Sequence, residues 1–318
     1  MSNMLRRRVA IVTGAGGGIG RCVAMVLAQE GASVVVNDLG TTVSGKDSST
    51  NPADKVAQEI RDLGGRVVAN YDSVTEFESA QRIVKTAIDS FGRLDILCNA
   101  AGILRDRMIF NMTEDEWETV IRVHMYGSFN MVRSSLPYMI EQHYGRIVLF
   151  SSSSGLGSAG QSNYSSAKEG IVGFTRSLAA ELVDEGITVN AVYPLANTRM
   201  MATVPESTRQ RLRDQQESTQ TMGLGAGEMV ASLEPDDAMG PENNASKIGY
   251  LCTVSGGSIN GQVIGTSGWT MSLYSPRRRI KSIHKNGRWT LDELEQLVPI
   301  SLAAGLVNPA PPESLSQK

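Results

Sequence analysis

One stretch near the start constrains this chain more than any other. An apolar run, Val9-Ala10-Ile11-Val12, passes without a break into Thr13-Gly14-Ala15-Gly16-Gly17-Gly18-Ile19-Gly20. Helical spacing begins at once, with Ile19, Val23, Val26 and Leu27 on one face. A strand that turns through glycine into a helix is the opening of an α/β layer. Glycine lets the backbone turn sharply, and the helix it opens presents unpaired N–H groups and a positive dipole end, a ready site for a pyrophosphate. A glycine-rich turn alone could be a plain chain reversal. Its position between a first strand and a first helix favours the phosphate reading.

The rest of the chain repeats this rhythm. Strand-length apolar runs fall at residues 34–36, 67–69, 94–98, 147–150, 188–192 and 262–265, separated by segments of helical period at 56–63, 77–91, 114–132, 165–183 and within 237–253. The runs are continuously apolar rather than alternating, as buried parallel strands are when helices cover both faces. The expected fold is a doubly wound, Rossmann-type α/β sheet with helices on both faces and a C-terminal extension. Residues 1–275 make one catalytic domain in this reading. Residues 39–51 form a polar loop. Residues 198–229, polar and containing Met200, Met201, Met222 and Met229, are expected to be a mobile substrate lid. In the extension, 276–308, residues 279–284 alternate like a half-exposed strand and Asn286-Gly287 suits a hairpin turn. Thr290 and Glu293 then make a capping box that opens a helix. Residues 309–318 read as a disordered tail.

Composition excludes several classes. The net charge is −3 with 20% charged residues, which gives no nucleic-acid signal. The runs Arg6-Arg7-Arg8 and Arg277-Arg278-Arg279 read as solvated charge, although the second, with Lys281 and Lys285, could also meet phosphates. Three cysteines without paired spacing make neither a disulfide framework nor a metal site. The first apolar run is too short for a signal sequence or a membrane span, so a cytoplasmic location with no membrane partner is expected.

Two further patterns carry chemistry. The second strand ends at Asp38, eighteen residues after Gly20. A carboxylate there can accept from the ribose hydroxyls of a dinucleotide and repels a 2′-phosphate, which favours NAD over NADP; the plain alternative is a turn-capping aspartate. Tyr164 and Lys168 stand four residues apart at the start of the long helix, on one face. A nearby ammonium lowers the pKa of a phenol and makes it a usable acid/base. Serines 151–154 end the preceding strand, at the sheet edge where such folds place their sites.

With these motifs in place, residues 5–270 resemble the short-chain dehydrogenase/reductase family. Thr13–Gly20, with Gly14, Gly18, Ile19 and Gly20, is similar to its cofactor loop. The resemblance implies that Asp72 and Ser73 hold the adenine, and that Asn99, Ala100, Ala101 and Gly102 support the sheet and line the adenosine ribose. It implies Tyr164 as acid/base and Lys168 as its helper and ribose ligand. Pro194 and Thr198 would meet the nicotinamide. The catalytic serine is Ser151 by the usual interval from Tyr164 and Ser152 by the strand end and Gly155; the strand register favours Ser152. Two departures stand out: His124 occupies the usual asparagine position, and Leu195 follows Pro194 in place of glycine. Stretches such as residues 34–40, 69–74, 101–107 and 161–164 resemble the dehydrogenase domain of the peroxisomal multifunctional β-oxidation enzyme and its bacterial stand-alone relatives. At 318 residues the chain is expected to carry the dehydrogenase domain without that enzyme's other domains. The implied activity is NAD-dependent oxidation of a 3-hydroxyacyl-CoA thioester by a homodimer or homotetramer. A free aromatic, alicyclic or steroid alcohol is the second reading. A non-catalytic cofactor-binding subunit is the third, against which intact Tyr164 and Lys168 argue.

Overall fold

The computed structural model describes residues 3–45, 51–198 and 236–306. Strand β1 (Val9–Thr13) runs through the turn into α1 (Gly18–Gln29), followed by β2 (Ser33–Asn37), α2 (Asn51–Asp62), β3 (Val67–Asn70) and α3 (Phe77–Phe91). The second half contains β4 (Ile96–Asn99), α4 (Glu114–Ile121), α5 (Gly127–Glu141), β5 (Gly145–Phe150), α6 (Ser162–Glu181) and β6 (Ile187–Leu195). After these come α7 (Glu242–Leu251), β7 (Val263–Ser267) and β8 (Thr270–Leu273). The sheet order is β3-β2-β1-β4-β5-β6-β7-β8, parallel through β7, with β8 antiparallel to β7.

The unbroken apolar strands follow from this layering. Ala10 and Val12 join Val34, Val36, Ile96 and Cys98 in one core beneath α1, α2 and α7. Val9 and Ile11 point the other way, with Val35, Leu97, Ile147 and Leu149, against α3, α5 and α6. Both faces are buried, so both sets of alternate residues must be apolar. Strand order reverses at β1 and β4, and the carboxyl ends there open the crevice in which such sheets bind ligands.

Three features were not anticipated. The first is β8, which follows a turn at Gly268 (φ 46°) and extends the sheet by one strand. The second is Arg8, which is not solvated charge. Its Nη1 donates at 2.8 Å to Asp95, which has no exposure and also accepts from the Val9 N–H at 2.9 Å and from Arg93 Nε at 2.8 Å. A buried carboxylate must be paired, and these groups fix the amino ends of β1 and β4. The third is the junction of α4 and α5, where Arg122–Tyr126 form one turn of π-helix.

The chain divides into two compact units, Met1–Tyr274 and Ser275–Lys318. In the second unit the expected strand at residues 279–284 is absent, and with it the hairpin. An alternating pattern holds as a strand only when a partner strand satisfies its backbone. The capping box is present: Thr290 Oγ1 accepts the Glu293 N–H at 3.2 Å, and Glu293 accepts the Thr290 N–H at 2.8 Å, opening α8 (Leu291–Leu297). Lys285 pairs with Glu293, and Lys281 donates to the Ser301 and Ala304 carbonyls. Residues 199–229 of the expected lid and the expected tail at 309–318 lie outside the described residues. No helix among the described residues is long and apolar enough to cross a membrane.

Candidate active site

The glycine turn is built for close approach. Gly14 (φ 63°) lies so near the β4 loop that a Cβ on it would sit 2.8 Å from the Ala101 backbone. At Gly20 a Cβ would meet the Gly14 carbonyl oxygen at 2.3 Å. The turn is stitched to its neighbours. Thr13 Oγ1 donates to Asn99 Oδ1 at 2.7 Å and accepts the Ala101 N–H at 3.1 Å, while Asn99 Nδ2 donates to Ser128 Oγ at 3.1 Å. Ile19 packs on the first core. Asp38 closes the other side, accepting the Gly16 and Gly40 N–H groups at 2.7 Å each. Across the crevice, the Thr198 methyl would lie 3.5 Å from a Cβ on Gly18. Pro194 stands near the end of β6, in register with Thr266.

Asp72 and Ser73, also expected here, carry local bonds. Asp72 accepts from Arg82 Nε at 2.8 Å and from Asn70 Nδ2 at 3.1 Å, and Ser73 Oγ lies 2.9 Å from Thr75 Oγ1.

Four side chains meet at the carboxyl end of β5. Ser152 stands beside the Tyr164 hydroxyl and lowers its pKa, and its Oγ accepts the Ser154 N–H at 3.1 Å. Ser151 faces away: buried, its hydroxyl donates to the Lys168 carbonyl at 2.6 Å. Lys168 Nζ donates to the Phe150 carbonyl at 2.5 Å and sits 5.3 Å from the Tyr164 ring centroid. His124, on the π turn, sets its ring edge-on to Tyr164 at 5.1 Å. Its Nε2 bonds the Ile103 carbonyl at 2.9 Å, and Nδ1 has no protein partner. Gly102 leaves the room for this: a Cβ there would sit 2.6 Å from His124 Cε1.

Burial governs the charges. It pushes the Tyr164 hydroxyl up to about 12, against the lowering effect of nearby Ser152 and with a smaller push from Asp106. It brings the Lys168 ammonium down to about 7. His124 is held well below the ordinary range, first by burial and then by Lys168, so its ring is neutral. The expectation that Lys168 would depress the Tyr164 pKa is therefore corrected: in this chain desolvation dominates.

An alcohol hydroxyl placed against Ser152 and Tyr164 could exchange a proton with the phenol, beside a crevice shaped for a dinucleotide. Residues 8–209 match the family described as short chain dehydrogenase. The chain belongs to that family. A short chain dehydrogenase from Mycobacterium avium superposes with a TM-score of 0.79 at 35% identity, covering 97% of this chain and 98% of that one. Hydroxyacyl-CoA dehydrogenase ChsB1 of Mycobacterium tuberculosis is 33% identical over 300 residues, 91% of this chain and 87% of the relative. The mouse peroxisomal multifunctional enzyme type 2 is 48% identical over 208 residues, 65% of this chain, and the match spans 28% of that protein's length.

This short chain dehydrogenase is an oxidoreductase, and its family binds a nicotinamide cofactor, NAD or NADP. The glycine turn fits such a group: Gly14 and Gly20 let it pack tightly on the backbone around it, and Gly18 (φ 52°) opens α1, whose N-terminal N–H groups suit a pyrophosphate. Sequence reasoning missed Asn163, which has no exposure. Its Nδ2 donates to the Arg105 and Glu116 carbonyls at 3.0 and 2.9 Å, and its Oδ1 accepts the Tyr164 N–H at 2.8 Å. Nothing in the sequence separates it from other polar residues at a helix start. Asp106, in the segment after β4, accepts from Gln161 Nε2 at 2.8 Å and was missed because that partner lies far along the chain.

Two expectations follow directly. Ser152→Ala should lower kcat at least about tenfold, the scale of losing one polar contact to the reacting oxygen, with a smaller change in Tm from the lost Ser154 N–H contact. Ser151→Ala should lower Tm by a few degrees, because it removes a buried hydrogen bond between β5 and α6, and should affect kcat less. Steady-state kinetics with calorimetry checks both, and the reverse order would assign the reacting oxygen to Ser151. The Lys168 pKa gives the second. An ammonium whose folded-state value is about 7 releases its proton between pH 7 and its unfolded value, while the unfolded chain still holds it. Stability therefore rises with pH across that window. The Tm of Lys168→Met relative to the natural chain should fall as pH is raised from 7 to 10, and a constant difference would refute the shift.

Proposed function

We propose that this chain interconverts a secondary alcohol and a ketone with NAD, and that the substrate is a 3-hydroxyacyl-CoA thioester. The buried Tyr164 hydroxyl, with Ser152 beside it and Lys168 Nζ 5.3 Å from its ring at the sheet edge, is the observation that carries the chemistry. When bound, the dinucleotide supplies the hydride acceptor or donor. Ser152 and Tyr164 hold the substrate oxygen. In oxidation Tyr164 takes the hydroxyl proton, and in reduction it returns one. Lys168, fastened to the Phe150 carbonyl, packs beside the phenol and would reach the nicotinamide ribose. His124 fixes the Ile103 backbone and packs on the Tyr164 ring. Gly14, Gly18, Ile19 and Gly20 cradle the pyrophosphate. Asp72 and Ser73 hold the adenine, residues 99–102 line its ribose, and Pro194 and Thr198 meet the carboxamide.

Support for a CoA thioester comes from the hydroxyacyl-CoA dehydrogenase to which the chain is similar over most of both lengths. The test is a dehydrogenase assay that pairs a 3-hydroxyacyl-CoA with the corresponding free alcohol. Turnover of the thioester alone supports the reading. Equal turnover of both, or turnover of a bulky free alcohol alone, would replace it with an alcohol dehydrogenase.

NAD rather than NADP is favoured by Asp38, a fixed carboxylate at the end of β2. Arg21, on the first turn of α1, is occupied by Glu59, with Nε at 2.9 Å, and is not free to neutralise a 2′-phosphate. Asp38→Asn keeps the shape and removes the charge. It is expected to lower the ratio of kcat/KM for NAD over NADP by about tenfold or more, the scale of one charge-assisted contact. An unchanged ratio would mean that the carboxylate does not set the preference.

A further inference from the structure

Residues 39–45 leave the end of β2 beside Asp38 and cross to the segment that follows β4. The Val43 carbonyl accepts the Leu104 N–H at 3.0 Å, and the Ser44 carbonyl accepts Arg105 Nε at 3.0 Å. Gly45 packs on Ile103, whose side chain would stand 3.3 Å from a Cβ there. Because β1 lies between β2 and β4, a segment joined to both bridges the carboxyl end of β1. That is the mouth of the crevice in which a dinucleotide lies along the glycine turn.

Arg105 is the fastening point. Its side chain is 15% exposed, with Nε on the strap and Nη1 on Asp115 of α4. Its carbonyl is held by Asn163 Nδ2, so the guanidinium projects from an anchored backbone. A planar fork with two directed donors can hold a carbonyl and a carboxylate at once, which a lysine cannot.

We propose that Arg105 is a positioning residue that fastens the strap of residues 39–45 over the bound nicotinamide cofactor and slows its release. The inference rests on the cofactor lying along the glycine turn. Opening the strap breaks the Arg105 and Leu104 bonds together. With Arg105 removed, the Leu104 bond and the packing of Gly45 on Ile103 remain, without the charged fastening.

The test follows NADH fluorescence in a stopped-flow displacement experiment on the full chain, with Tm measured alongside. Arg105→Ala is expected to release NADH at least about tenfold faster, the scale of losing one charged hydrogen bond. Cofactor KM should rise while kcat stays level or increases, a split that general structural damage does not produce. Arg105→Lys should fall between the two. Release within twofold of the natural chain, in a variant whose Tm is kept, overturns the proposal. So does a fall in kcat and Tm without faster release. If Arg105→Ala does not fold, Arg105→Lys is judged by the same criteria. A natural chain that binds neither NADH nor NADPH overturns the underlying cofactor reading as well, which separates the two failures.

Discussion

Tyr164→Phe is expected to lower turnover at least about a hundredfold, the lower range for removing a general acid/base. Cofactor affinity should stay within about twofold. The substitution removes one oxygen and keeps the ring, so the edge contact with His124 and the space beside Lys168 remain filled. Only the phenolic oxygen beside Ser152 and its transferable proton are lost. The direction of the pH dependence follows from the burial of the hydroxyl. With its pKa pushed up to about 12, Tyr164 is a neutral phenol at pH 7, ready to donate to a ketone oxygen. Oxidation needs the phenolate, so log kcat/KM for the alcohol should climb as pH rises from 7 to 10. Reduction should be steady over the lower part of that range. The Phe variant should lose the climb along with the rate. Near-normal turnover, or a pH profile unchanged by the substitution, would remove Tyr164 from the proton path.

The sheet was legible because its information is local and repeated. Each strand is an apolar run buried on two faces, and the helices between them carry their own period. What escaped depended on partners far away in sequence. β8 has mostly exposed residues and exists only because β7 offers it an edge. Residues 279–284 show the alternation of a strand and form none, while the nearby capping box, which needs only four consecutive residues, is present. Arg8 looked like one member of a charge run, and its buried partner Asp95 lies 87 positions on.

The candidate site divides in the same way. Its glycines and the Tyr164–Lys168 pair could be picked out by spacing. The choice between Ser151 and Ser152 turned on which hydroxyl faces the Lys168 carbonyl and which faces Tyr164, a question of strand register. The π turn that carries His124, and the anchoring of Arg105 by Asn163, left no mark in the sequence. Charge was the least legible quantity: adjacency on a helix face suggested a depressed tyrosine pKa, whereas burial, a property of the assembled fold, raised it.

Gly20→Ala is expected to weaken cofactor binding by about tenfold to a hundredfold. One added methyl group would stand 2.3 Å from the Gly14 oxygen and 3.2 Å from the Ala15 Cα, both backbone atoms that no side-chain rotation can move aside. The turn has little room to retreat. The Ala15 N–H is held by the Asn37 carbonyl at 3.0 Å, and Gly14 is already pressed against Ala100 and Ala101. Relief must come from opening the turn away from α1, which re-aims the N–H groups meant for the pyrophosphate. Overpacking of this kind costs about 1–3 kcal/mol, and each 1.4 kcal/mol that falls on binding is tenfold in affinity. Gly173→Ala in α6 is the matched control. No atom lies within 4 Å of a Cβ there, so affinity should not change, and Tm should rise slightly as the unfolded chain loses freedom. Fluorescence titration with NADH, paired with thermal melts, reads both variants. An unchanged Kd for Gly20→Ala, with Tm preserved, would mean that the turn does not hold the dinucleotide and that the cradle lies elsewhere along the crevice.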